Sequence, residues 1–204
     1  MAEIKSEHYE IDEEYAEGSF RQASDPIISD PFVKARVGTM IFIISEVMLF
    51  GGLISSFFIV RNSYLEWPPE NLPSYPIVQT LFNTLFLFLS GATIYLFDKK
   101  KKDYLYFLTL ILGSVFILLQ GVEWIRLINY GLTMTSDRYG SIFYLVVGAH
   151  ALHALVGIIW LAAAYYISKL RYKTNYTPAT SSSSLFWKFV VLIWPVIYVS
   201  VYII

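Results

Sequence analysis

Residues 37–60 read VGTMIFIISEVMLFGGLISSFFIV, a stretch with one charged side chain, Glu46. Coiled at ~1.5 Å per residue, it reaches ~36 Å, more than the ~30 Å hydrocarbon core of a bilayer. Four further runs of similar length follow, at residues 77–97, 104–128, 141–167 and 185–204. Composition supports the same reading. Hydrophobic residues make up 56% of the 204, charged residues 15%, and the mean hydropathy is +0.53. A soluble domain is nearer ~45–50% apolar with ~25% charged. The long unbroken runs do not alternate as the strands of a membrane barrel would. The fold class expected is therefore an all-α integral membrane bundle of five transmembrane helices.

The domain organisation expected is an acidic polar tail over residues 1–36 and a five-helix membrane domain over 37–204. The tail reads as a mobile or partner-bound arm and lacks the apolar segment of a cleaved leader. Lysine and arginine in the short loops set the orientation. One side receives Lys34, Arg36, Lys99 to Lys102, Lys169, Arg171, Lys173 and Lys188, while the other receives Arg61, Arg126 and Arg138. The N-terminus is expected in the cytoplasm and the C-terminus outside. Trp67, Trp124 and Trp187 read as interfacial anchors. Trp67-Pro68-Pro69 stiffens the first outer loop, because proline fixes φ. Ser181 to Ser184 read as a short linker before the last helix.

A net charge of −1 gives no basic footprint for nucleic acid. Zero cysteines remove disulfides, thiol catalysis and iron–sulfur clusters. The informative residues are the ionisable ones inside the helices, since charge there is costly and points to function. They are Glu46, Glu123, His150 and His153. Glu46 lies ~14 Å from the inner end of its helix, and His153 ~18 Å from the outer end of an antiparallel one. Across a ~30 Å core these depths nearly coincide, so the two can meet near mid-membrane. Glu123 falls near the outer surface beside Trp124, where it reads as interfacial. His150 and His153 share one helix face, but no other helix carries a histidine to complete a bis-histidine haem site. The set therefore points to a lipid-related or proton-path site, or to structural histidines bonded across helices. No metal, haem or copper is assigned to this chain. Gly51-Gly52, Ser90-Gly91-Ala92, Gly113-Ser114 and Gly148-Ala149 are expected to bring helices close, with Asn83, Thr84 and Gln120 as polar contacts inside.

Read in order, these residues resemble a known family. Gly38 to Phe50 (GTMIFIISEVMLF) is similar to the first shared helix of subunit III of the haem–copper oxidases, the cytochrome c oxidase subunit III family. The likeness continues through Trp67-Pro68-Pro69, Leu81-Phe82-Asn83-Thr84, Leu118-Leu119-Gln120 with Glu123, and Tyr139-Gly140-Ser141 with Phe143. It runs on through Gly148-x-His150-x-x-His153 with Gly157, then Trp187, Phe189-Val190, Trp194 and Tyr198 to Tyr202. It covers about residues 36–204, in a short form without the two N-terminal helices of longer members.

The resemblance implies a non-redox subunit of an aerobic respiratory oxidase in a prokaryotic inner membrane. Haem and copper would lie in partner subunits, with subunit I in direct contact and subunit II in the same complex. It also implies bound phospholipid and support of proton uptake and translocation. Glu46 occupies the family's carbodiimide-reactive intramembrane glutamate, and His150 and His153 its histidine pair. Lys169 and Arg171 look suited to a lipid phosphate. The last helix departs from the family's Trp-His-Phe-Val-Asp, with Lys188 for the histidine and Val191 for the aspartate, so no site is carried onto it. Alternatives are an accessory subunit of a nitric oxide reductase from the same superfamily and a small transporter. A transporter would show broken helices or an inverted repeat.

Overall fold

The computed structural model describes residues 30–67, 69, 75 and 77–203. Residues 1–29 of the acidic tail, Pro68 of the loop motif, residues 70–74 and 76, and Ile204 lie outside these. Five helices long and apolar enough to cross a membrane stand among the described residues. They are α1 (Pro31–Arg61), α2 (Ile77–Lys100), α3 (Asp103–Asn129), α4 (Arg138–Tyr172) and α5 (Pro178–Tyr198), the last extended by a π-helical turn (Val199–Ile203). They alternate in direction, which gathers Lys34, Lys99 to Lys102, Lys169 and Lys173 at one end of the bundle, here called the basic end.

Local chemistry sets the boundaries. α1 starts six residues before its apolar run, because Asp30 Oδ1 accepts from the Phe32 N–H (2.8 Å) and Pro31 takes the first helical position. Arg36 and Lys34 therefore belong to α1. α5 likewise starts seven residues before Leu185. Thr177 and Thr180 form a reciprocal capping box, with Pro178 at the first position. Ser181 to Ser184 are thus no linker. They are buried in the first two turns of α5, where their small side chains let it enter between its neighbours. Ser183 Oγ meets the Tyr106 hydroxyl of α3 at 3.1 Å. At the basic end the chain reverses through Lys101 (φ 53°), whose carbonyl accepts from Asn175, and α4 closes at Lys173 (φ 50°).

α5 is the centre of the bundle, touching α1, α2 and α4. It is the most buried of the five spans and α1 the least, which leaves most of the α1 surface open. Trp187 is the side chain around which α5 packs. It is fully buried, and its Nε1 donates to Ser90 Oγ of α2 (3.1 Å). Its ring lies against Gly113 of α3 and Gly157 of α4, where an added Cβ would fall 2.7 Å and 2.9 Å from ring carbons. Trp187 is therefore not an interfacial anchor: the two glycines open a slot for the indole in the interior. Gly91 is similarly close to Val191 (2.8 Å). Gly51 and Gly52 differ, since a Cβ on either would meet nothing within 4 Å. Among the described residues they bring no helix close.

At the opposite end Trp67, part-buried, packs edge-on against Phe57, Tyr64, Tyr75 and Tyr139. Tyr75 stacks on Tyr139 (4.6 Å) and Phe143 (4.5 Å), and burial raises its phenol well above the usual value. Asp137 caps α4, and its Oδ2 accepts from the Tyr64 hydroxyl at 2.7 Å. That bond holds the Asp137 carboxyl below its ordinary range.

Candidate functional site

The α1–α4 contact carries the first part of the site. Glu46 Oε2 stands 2.8 Å from His153 Nε2, with the side chains 13% and 15% exposed. The two meet as their depths along antiparallel helices allow. His153 Nδ1 lies 2.6 Å from the Ala149 carbonyl of the preceding turn. Phe50, one turn beyond Glu46, presents its ring to His153 at 5.1 Å, and Phe186 of α5 lies 6.5 Å away. Two apolar rings thus shield the pair from the rest of the bundle.

His150 sits one turn before His153 and is fully buried. Its ring lies between Trp194 (4.7 Å), Phe116 (6.2 Å) and Phe50 (6.3 Å). Among the described residues neither ring nitrogen has a hydrogen-bond partner. Of the two histidines only His153 bonds across helices.

Glu123 belongs to a separate cluster. It is buried, not interfacial, because Thr80 of α2 and Gln120 of its own helix replace water around the carboxyl. Thr80 Oγ1 donates to Oε1 (2.6 Å) and Gln120 Nε2 to Oε2 (3.0 Å). Asn83 Nδ2 donates onward to Gln120 Oε1 (3.3 Å) and to the Phe116 carbonyl (3.2 Å). Trp194 Nε1 donates to Thr84 Oγ1 (2.8 Å). Asn83, Thr84 and Gln120 are therefore interior polar contacts, as read from the sequence. Phe116 stands between the clusters, its ring on His150 and its carbonyl on Asn83.

A third polar group lies toward the basic end. Lys188 of α5 pairs with Asp98 Oδ2 of α2, which also accepts from Ser184 Oγ (2.7 Å). Sequence reasoning misses this pair. A usable signal is present: a lysine inside a span calls for a carboxylate, and Asp98 is the one acidic residue of α2. Lys169 is engaged by Asp103 Oδ2 at 2.6 Å, whereas Arg171 is exposed. Among the described residues, no three His, Asp or Glu converge as a metal site would require.

The chain is similar to known proteins along most of its length. The family model described as cytochrome c oxidase subunit III matches residues 14–204. A probable cytochrome c oxidase subunit 3 of Mycobacterium leprae is 34% identical, over 81% of this chain and 86% of its own length. That of Nocardia farcinica is 32% identical with the same coverage. The cytochrome c oxidase subunit 3 of Dugong dugon is 31% identical over 91% of this chain and 74% of its own length. With five spans and a match over nearly its whole length, this integral membrane protein belongs to the cytochrome c oxidase subunit III family.

Proposed function

We propose that this chain is the non-redox subunit III of a respiratory haem–copper oxidase in a bacterial inner membrane. In this reading it packs against subunit I, beside subunit II in the same complex, and holds phospholipid. It thereby sustains proton uptake during oxygen reduction, with haem and copper in its partners and the N-terminus in the cytoplasm. The observation that carries the proposal is the Glu46–His153 pair, an ionisable contact at mid-helix on the least buried helix of the bundle. A membrane interior makes such residues expensive unless they serve a pathway or a partner. The open face of α1, with Gly51 and Gly52 uncrowded, supports docking against another subunit. Arg171, exposed at the basic end, supports contact with lipid phosphate.

The test compares oxidase purified with and without this chain. Equal haem content and initial oxygen consumption, followed by faster loss of activity during turnover in its absence, is the expected result. Full and stable activity without the chain would defeat the proposal. Loss of haem from the depleted complex would assign the chain to assembly instead.

A further inference from the structure

The hydrogen bonds of His153 fix where its protons are. A backbone carbonyl only accepts, so the 2.6 Å contact between Nδ1 and the Ala149 oxygen requires a hydrogen on Nδ1. If the ring is neutral, Nε2 then presents a lone pair to Glu46. An ionised carboxylate presents only lone pairs as well, and two acceptors do not hold at 2.8 Å. One further proton must therefore lie between Glu46 Oε2 and His153 Nε2.

We propose that Glu46 and His153 are a proton-holding dyad that shares one exchangeable proton and stays electrically neutral. The dyad has two forms, a carboxylic acid facing a neutral imidazole and a carboxylate facing an imidazolium. Passing between them breaks the O–H bond at Glu46 Oε2 and forms the N–H bond at His153 Nε2. The O–H electron pair stays on the carboxylate and the Nε2 lone pair takes the proton. No other reactant enters, and the net charge is zero before and after.

That neutrality suits the site. An isolated charge in an apolar interior is heavily penalised, whereas a proton moving inside a neutral pair adds no net charge. The side chains packed on His153 from α1 and α5 are Phe50 and Phe186, which bring no competing charge. The neighbouring titratable group is His150, one turn away and closed in by Phe50, Phe116 and Trp194. Ala149 acts here through its backbone: its carbonyl holds the tautomer that aims the Nε2 lone pair at Glu46. The inference deepens the proton-supply reading and rests on it for physiological purpose. The protonation state is testable without turnover.

The experiment is 15N magic-angle-spinning NMR of the intact complex labelled at histidine. The difference between wild type and His153→Gln isolates the His153 ring. The expected result is a protonated Nδ1 in wild type and in Glu46→Gln, with the Nε2 resonance moved more than Nδ1 by the Glu46 substitution. An unprotonated Nδ1 in wild type would overturn the dyad, as would an imidazolium that persists unchanged in Glu46→Gln. If His153→Gln fails to assemble, the wild-type minus Glu46→Gln difference makes the same decision: its larger displacement must be at Nε2, with Nδ1 protonated in both. Oxygen consumption over many turnovers is recorded on the same samples. The expected NMR signature with unchanged durability in Glu46→Gln would retain the dyad and defeat the proton-supply reading.

Discussion

Replacing Lys188 with methionine isolates the contact between α2 and α5 near the basic end. In the native chain Asp98 Oδ2 receives Lys188 Nζ and the Ser184 hydroxyl, while Oδ1 is buried with no hydrogen-bond partner among the described residues. Lys188→Met leaves that carboxyl one neutral donor. Removing one member of a fully buried pair costs about 3–5 kcal/mol, and an exposed pair is worth about 0–1 kcal/mol. With the two side chains 26% and 16% exposed, the expected loss lies between, near ~2 kcal/mol. Asp98→Asn should cost less, because the long lysine stem left behind can carry its ammonium toward water. The double variant should recover much of the sum, giving a coupling energy of about 1–3 kcal/mol. The assay is thermal release of this chain from the purified complex, with all four proteins measured side by side. Strictly additive single effects would show that Asp98 and Lys188 do not interact, and would refute the reasoning.

Packing and other polar contacts give further outcomes. Gly157→Ala and Gly113→Ala push a methyl into the Trp187 ring and should each destabilise by about 1–3 kcal/mol in the same melts; unchanged melting would remove Trp187 from the centre of the fold. Gly51→Ala meets no atom within 4 Å among the described residues, so the isolated subunit should tolerate it, whereas retention in the complex should fall if α1 docks there. Equal retention would place the partner on another face. Thr80→Val removes the 2.6 Å donor to buried Glu123 and should cost about 1–3 kcal/mol, read by unfolding, with no loss counting against the cluster. The Tyr64–Asp137 contact should depend on pH. Because the folded Asp137 carboxyl is held below its ordinary value, the contribution is complete above that ordinary value and disappears as pH falls through the lowered one. Hydrogen exchange of residues 131–137 across acid pH should show this loss in wild type and not in Tyr64→Phe. Identical profiles would sink the assignment.

Part of the site geometry is legible in the sequence alone. The meeting of Glu46 with His153 follows from counting, since helical rise per residue is constant and depth survives whatever the helices do laterally. Burial is less legible. Trp187 resembles a belt residue and lies at the centre, while Glu123 resembles a rim residue and is enclosed by Thr80 and Gln120. Ser181 to Ser184 have loop-like composition and form buried helix, where Ser183 bonds back to the helix and meets Tyr106, and Ser184 donates across to Asp98.

By itself the sequence determined five spans, their alternating direction and the matching depths of Glu46 and His153, because hydropathy and helical rise are local properties of the chain. Only the tertiary structure decided which faces turn inward. Helices that are apolar nearly all round carry little amphipathic signal to set their rotation. That rotation came instead from shape and a few polar bonds: the indole of Trp187 slotted between Gly113 and Gly157 and tied to Ser90, and Lys188 drawn to Asp98. Such contacts join residues far apart in the chain, 97 positions for Ser90 with Trp187 and 90 for Asp98 with Lys188, so no local window of the sequence contains both partners.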